Sequence, residues 1–104
     1  MSNFIDPNSA KKLMQENENH IIIDVRLQEA YNQSHIKNAI NIPLETIDSE
    51  KAPEELSDKE QPIFVYCQRG IRSECATQKL KNLGYKNVYD IGSIQAWSEE
   101  ETAN

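Results

Sequence analysis

Positive charge is scarce in this chain. It has 11 lysines and arginines against 17 aspartates and glutamates, and its net charge at pH 7 is -6. A surface of this sign repels phosphates and anionic lipid headgroups, so we expect neither general nucleic-acid binding nor docking on a membrane. A local anion site remains compatible with this balance, because the field at one site depends on the dipoles and charges beside it.

Long apolar runs are missing as well, and none reaches the length that a membrane-spanning helix needs. The first residues, MSNFIDPNSAKKLMQ, do not place a positively charged segment before an apolar one, as a secretory signal would. We therefore expect a cytoplasmic protein.

Cysteine is nearly absent, with only Cys67 and Cys75 present. In the cytoplasm both are expected to be reduced. They are eight positions apart, with no C-x-x-C pair and no cysteine and histidine spacing typical of a metal site. The sequence thus predicts neither a metal nor another cofactor.

The length of 104 residues suits one domain. We expect a single domain over residues 1–104, with its core in 4–97 and an acidic tail in 98–104. Short apolar runs and amphipathic segments alternate along the chain. The predicted strands are 20–25, 39–43, 62–67 and 87–91; the predicted helices are 6–17, 27–33, 71–83 and 94–104, and 44–61 is an acidic connection. This alternation predicts an α/β fold with a mainly parallel sheet covered on both faces.

Cys67 ends the most apolar predicted strand, and the best predicted helix starts four residues later. Ligands of parallel sheets bind beyond the carboxyl ends of the strands, so this loop lies where a site is expected. Gly70 allows the sharp turn, and successive backbone N–H groups then form a concavity for an anion. Arg69 and Arg72 add positive charge, which favours the thiolate form of the cysteine.

Five blocks of the sequence, in order, resemble a single-domain rhodanese, a thiosulfate sulfurtransferase-like domain. The similarity covers about residues 4–97. The matching positions are Asp24 and Arg26; His35, Ile36, Ala39, Asn41 and Pro43; and Cys67, Gly70 and Arg72 in the active-loop pattern C-x-x-G-x-R. Ser34 and Ser93 stand where the family usually has glycine, which affects turns more than chemistry.

The resemblance implies a rhodanese-like three-layer α/β/α domain with a sheet of four to five strands. It implies a ping-pong transfer in which Cys67 takes the outer sulfur of thiosulfate or of a low-molecular-weight persulfide as a persulfide. A thiol acceptor, which a protein can also supply, then removes that sulfur. The loop residues expected to bind substrate are Gln68, Arg69, Gly70, Ile71 and Arg72. We expect the domain to act as a monomer.

The length of the loop separates two chemistries. Related folds that act on phosphate or arsenate have a C-x5-R loop, and the arginine would then fall at position 73, which is Ser73. The shorter loop suits one sulfur atom better than a tetrahedral oxyanion.

Other interpretations stay open from the residues alone. The domain could be a persulfide carrier or a partner-binding module with little turnover of free donors, or a regulatory domain with none. Cys67 could be an ordinary buried cysteine, and Arg69 and Arg72 solvated surface charges. Cys75 could resolve an oxidised Cys67 or only pack on its helix. Asp24 and Arg26 are expected to form a structural ion pair or a capping interaction more than to act in catalysis. His35 is expected to be a packed, hydrogen-bonded residue more than an acid or base.

Overall fold

The computed structural model describes residues 3–48 and 50–104. Helices and strands are interspersed along these residues. The strands are β1 (Ile21–Asp24), β2 (His35–Ile36), β3 (Ile40–Asn41), β4 (Ile63–Cys67), β5 (Val88–Ser93) and β6 (Thr102–Ala103); the helices are α1 (Pro7–Glu16), α2 (Gln28–Gln33) and α3 (Ile71–Asn82), with 3-10 turns at Leu44–Thr46, Ile94–Ala96 and Glu99–Glu101. None of the helices formed by these residues is long and apolar enough to cross a membrane.

The main sheet of the described residues has four strands in the order β3-β1-β4-β5, and every neighbouring pair is parallel. Parallel neighbours need a crossover, and α3 supplies the one between β4 and β5. The carboxyl ends of the strands therefore meet at one edge. The predicted α/β class with a mainly parallel sheet is confirmed.

Each face of the sheet carries its own apolar cluster. Ile63, Val65 and Cys67 of β4 face α3 and pack on its Ala76 and Leu80. The alternate residues of β4, Phe64 and Tyr66, face the opposite side, where α1 contributes Ala10. Side chains of a strand alternate between its faces, so one continuous apolar run fills both clusters. The result is the predicted three-layer arrangement.

A buried polar cluster lies on the face opposite α3. Asp24 at the end of β1 is fully buried and forms an ion pair with Arg26, as predicted from the sequence. The hydroxyl of Tyr66 donates to Asp24 Oδ2 at 2.8 Å and accepts the Ile36 N–H at 3.0 Å. Burial, and then the Asp24 carboxylate, raise the pKa of Tyr66 far above its usual range, so the phenol stays a donor. This cluster joins β1, β4 and β2.

The predicted helix over 94–104 is wrong. The chain instead makes two separate 3-10 turns, and the second is closed by a capping box between Ser98 and Glu101. Thr102 and Ala103 then pair as β6 with the antiparallel strand β2. The unpaired backbone groups of β2 need partners, and this pairing satisfies them better than a frayed helix would. Glu101 also forms an ion pair with Lys11 of α1.

Tyr66→Phe tests the polar cluster. The substitution keeps the ring in the core but leaves the buried Ile36 N–H without a partner, so we expect it to lower the free energy of unfolding by about 1–3 kcal/mol. Urea unfolding followed by circular dichroism measures this. Tyr89→Phe is the matched control, because the Tyr89 ring stacks on Phe64 at 5.2 Å but its hydroxyl has no hydrogen bond to the described residues. Equal losses in the two variants would contradict the role given to the Tyr66 hydroxyl.

Candidate active site

Cys67 occupies the last position of β4, at the carboxyl edge of the sheet. Its side chain faces α3 and only 1% of the residue is exposed. It carries no disulfide. A thiol in this position is enclosed by the loop that follows it, so the geometry of that loop decides what the sulfur can do.

Two backbone N–H groups point at the sulfur. The Gly70 N–H donates to Cys67 Sγ at 2.9 Å, and the Ser73 N–H donates at 3.3 Å. Gly70 has φ 93° and ψ -7°, a left-handed conformation that turns the chain back toward the sulfur and starts α3. Ser73 lies in the first turn of α3, where the N–H groups have no partner within the helix. These donors and the amino end of the helix stabilise negative charge at the sulfur position.

The β5 strand holds this loop in place. Asp90 is buried, and its Oδ1 accepts hydrogen bonds from Ser73 Oγ at 2.7 Å and from the Gly92 N–H at 2.8 Å. An irregularity in the pairing of β4 with β5 leaves Tyr66 opposite Gly92. A side chain at Gly70 would come within 3.6 Å of the Gly92 Cα, so the two backbones approach closely here. The N–H groups of Gly70 and Ser73 at the sulfur form what we call the sulfur cradle, and this cradle depends on the neighbouring strand β5.

Gln68 is anchored at both its side chain and its backbone. Its Oε1 accepts from Arg26 Nη1 at 3.0 Å, and its carbonyl accepts from Ser93 Oγ at 2.5 Å. Arg26 is itself held by the buried carboxylate of Asp24, with Nη2 at 2.7 Å from Oδ2. The buried ion pair therefore reaches the loop through Arg26. Ser93, which stands where the family usually has glycine, makes a contact that glycine could not make.

The two arginines of the loop differ. Arg69 is exposed and makes no hydrogen bond or ion pair with residues 3–48 or 50–104. Arg72 Nη2 lies 2.6 Å from both carboxylate oxygens of Glu45, in the turn after β3. The hydrogen bond from Arg72 lowers the pKa of Glu45, and the same bond raises the pKa of Arg72. Ile71, between them, is 77% exposed.

Cys75 and His35 lie outside the cradle. Cys75 is an exposed free thiol on α3, and no disulfide joins it to Cys67. The His35 ring stacks on Tyr31 at 4.0 Å between centroids, and its Nδ1 lies 2.9 Å from the Tyr31 carbonyl, which is the packed contact predicted for it. Within the described residues, no group of three or more histidine, cysteine, aspartate or glutamate side chains could hold a metal ion.

Sequence reasoning missed three residues of this site. It used Ser73 only to count the loop length, and it assigned no role to Asp90 or Glu45. The D-x-G pattern at 90–92 is a signal of an irregular strand that could have been noticed. No local pattern indicates that Glu45 contacts a residue 27 positions away.

This chain is similar to several known proteins. The family model of the rhodanese-like domain matches residues 6–100. A thiosulfate sulfurtransferase GlpE of Coxiella burnetii is 41% identical over 80 residues, which are 74% of this chain and 70% of that protein. An adenylyltransferase and sulfurtransferase UBA4 of Candida albicans is 35% identical over 102 residues, which are 92% of this chain and 23% of that protein.

Among solved structures, a rhodanese with anions from E. coli superposes with a TM-score of 0.72. It is 33% identical, and the match covers 82% of this chain and 98% of that one. The fold, the family model and the relatives all indicate the same family. The chain therefore belongs to the rhodanese-like family of sulfurtransferases.

Proposed function

We propose that this chain moves a sulfane sulfur from thiosulfate or a low-molecular-weight persulfide to a thiophilic acceptor through a Cys67 persulfide. One observation carries the proposal: a buried cysteine at the carboxyl end of β4 accepts two backbone N–H hydrogen bonds at its sulfur. This arrangement suits a sulfur atom that becomes negatively charged during a reaction.

In the first half-reaction, the Cys67 thiolate attacks the outer sulfur of thiosulfate. A new S–S bond forms as the S–S bond of thiosulfate breaks, and sulfite leaves with that electron pair. The enzyme retains Cys67–S–S⁻, whose terminal sulfur lies among the amides of the loop. Covalent catalysis of this kind divides one transfer into two easier steps.

In the second half-reaction, a thiolate or cyanide attacks the terminal sulfur. The S–S bond to Cys67 breaks, and its electron pair returns to Cys67 as the thiolate. No net oxidation or reduction occurs over the cycle, so the transfer needs no redox cofactor. We propose that the chain works without a cofactor, as a monomeric domain in the cytoplasm, where Cys67 and Cys75 stay reduced.

The residues Gln68, Arg69, Gly70, Ile71 and Arg72 are proposed to bind the donor and the terminal sulfur. The Gly70 N–H contributes directly, since it reaches Cys67 Sγ at 2.9 Å. The exposed Arg69 guanidinium is available to a sulfonate at the rim. Ser73 joins this set as a positioning residue, because its N–H lies 3.3 Å from the sulfur and its hydroxyl is bound to Asp90.

A second function is a persulfide carrier that receives its sulfur from a protein and passes it to another protein thiol. The exposed apolar side chains of Ile71 and Leu27, at 77% and 57%, favour contact with a protein. The name of the Candida albicans relative joins a sulfurtransferase to an adenylyltransferase in one longer chain, which also supports a protein acceptor. The two functions share the Cys67 persulfide and differ in the turnover of free thiosulfate.

Cys67→Ser tests the chemistry. We expect this variant to lose thiosulfate:cyanide turnover by at least about 1,000-fold, because serine cannot form the persulfide. Intact-protein mass spectrometry after incubation with thiosulfate should show an added sulfur atom on the wild type and none on the variant. Cys75→Ser is the matched control and should keep both readouts. Full activity in Cys67→Ser would overturn the proposed function; an adduct on the wild type without turnover would favour the carrier.

Gly70→Ala tests the cradle. With φ at +93°, an alanine at position 70 is strained, and relief of that strain moves the N–H away from the sulfur. We expect a loss of about 1–3 kcal/mol in unfolding free energy, with a loss of about tenfold or more in kcat/KM for the donor. Gly84→Ala is matched, because Gly84 has φ +100° at the end of α3, far along the chain from the loop. It should lose similar stability and keep its activity. Parallel losses of activity in both variants would mean that stability alone explains the effect.

A further inference from the structure

The Arg72 guanidinium is already occupied. Its Nη2 contacts both oxygens of Glu45 at 2.6 Å, and this pair bridges the first turn of α3 and the 3-10 turn Leu44–Thr46. Arg72 is 38% exposed and Glu45 is 55% exposed, so solvent and small anions reach the pair. A donor sulfonate that used this guanidinium would compete with a carboxylate tethered beside it.

The turn that carries Glu45 is fixed by the core. Leu44 packs against the cluster under α3, and its N–H donates to the Val25 carbonyl at 3.0 Å. Ile47, at the other end of the turn, is buried. Since both ends are held, the fold keeps the backbone of Glu45 beside the first turn of α3, within reach of Arg72.

The charges around the loop partly offset one another. Arg69 and Arg72 supply two positive charges at its rim. Glu45 pairs with Arg72, and Glu74 in the first turn of α3 adds a second negative charge. Lys79 also acts on Glu45, but it lies farther along α3, with its Nζ 3.5 Å from the Ile47 carbonyl. The backbone donors favour one negative charge at the sulfur, but the rim offers little attraction to a further charge on the donor. Thiosulfate carries two negative charges, whereas a thiosulfonate with an organic group carries one.

We propose that Glu45 is a specificity-determining residue that makes the site favour sulfur donors with a single negative charge over dianionic thiosulfate. The inference rests on the proposed function, because it concerns the donor that loads Cys67. Glu45 acts on the donor through its own charge and through its hold on Arg72, and it takes no part in bond making.

Two donors with the same reactive linkage isolate the effect of charge. Thiosulfate is a dianion and benzenethiosulfonate is a monoanion, and both carry a terminal sulfur bonded to a sulfonyl sulfur. With either donor, the Cys67 thiolate bonds to the terminal sulfur as the S–S bond breaks. The electron pair leaves on sulfite in one case and on benzenesulfinate in the other. The enzyme persulfide that forms is the same.

Glu45→Gln tests the proposal by steady-state kinetics with each donor and saturating cyanide. The substitution removes one negative charge, and the interaction energy with a dianion changes about twice as much as that with a monoanion. We therefore expect kcat/KM to rise about fivefold for thiosulfate and about twofold for benzenethiosulfonate. The gain for thiosulfate should shrink at high salt, because both groups are exposed. In an Arg72→Gln background the same substitution should give a smaller gain, since part of the effect is the release of Arg72.

Glu29→Gln is the matched control. Glu29 is exposed and lines the same surface cleft as Glu45, but it forms no ion pair with the described residues. It should change the ratio of the two donors by much less than Glu45→Gln does. Three outcomes would overturn the role of Glu45. They are equal gains in kcat/KM for both donors, equal effects of Glu45→Gln and Glu29→Gln, or a fall in kcat/KM for thiosulfate in Glu45→Gln.

The sulfur adduct on the wild type distinguishes a failure of the specificity inference from a failure of the proposed function. If thiosulfate and benzenethiosulfonate both load Cys67 in the wild type and Glu45→Gln behaves like Glu29→Gln, only the specificity inference fails. If neither donor adds sulfur to Cys67, the proposed function fails with it.

Discussion

One buried carboxylate holds the reactive loop against the sheet. Asp90 Oδ1 accepts from Ser73 at the start of α3 and from Gly92 in its own strand. The same Ser73 contributes one of the two N–H groups at the sulfur of Cys67. A strand that carries no reactive group thus fixes the distance between the helix and the thiol. Without this link, the side chain of Ser73 would lose its bond to β5, and its N–H would be held toward the sulfur less firmly.

The parts of this arrangement that could be predicted are those with local causes. Strand period, apolar runs and helix starts depend on neighbours in sequence, so the parallel sheet and α3 could be derived. The position of Cys67 before a glycine-containing turn follows from the same patterns. Gly70 has a left-handed φ, as a turn this short requires.

The parts that could not be predicted depend on contacts between distant segments. The pairing of Arg72 with Glu45 needs the turn after β3 to lie beside α3, and only the folded chain brings them together. The pairing of β6 with β2 likewise joins residues far apart in sequence, and it overrides the weak helical tendency of the last residues. The acidic composition predicted a repulsive surface but could not show that Glu45 contacts an arginine expected to bind substrate.

Both hydrogen bonds to the Cys67 sulfur come from the peptide backbone. The chemistry at the sulfur therefore depends on the path of the chain, which Gly70, Ser73 and Asp90 fix, and much less on the side chains displayed between them. Arg69 and Ile71 are exposed on this path, and their side chains do not hold the cradle in place. Under the proposed function, natural variation or engineering at these two positions would alter which molecules approach while the reactive centre is preserved. A loop of this kind separates the choice of partner from the bond-making step, so a single scaffold can acquire new partners by changes at its surface alone.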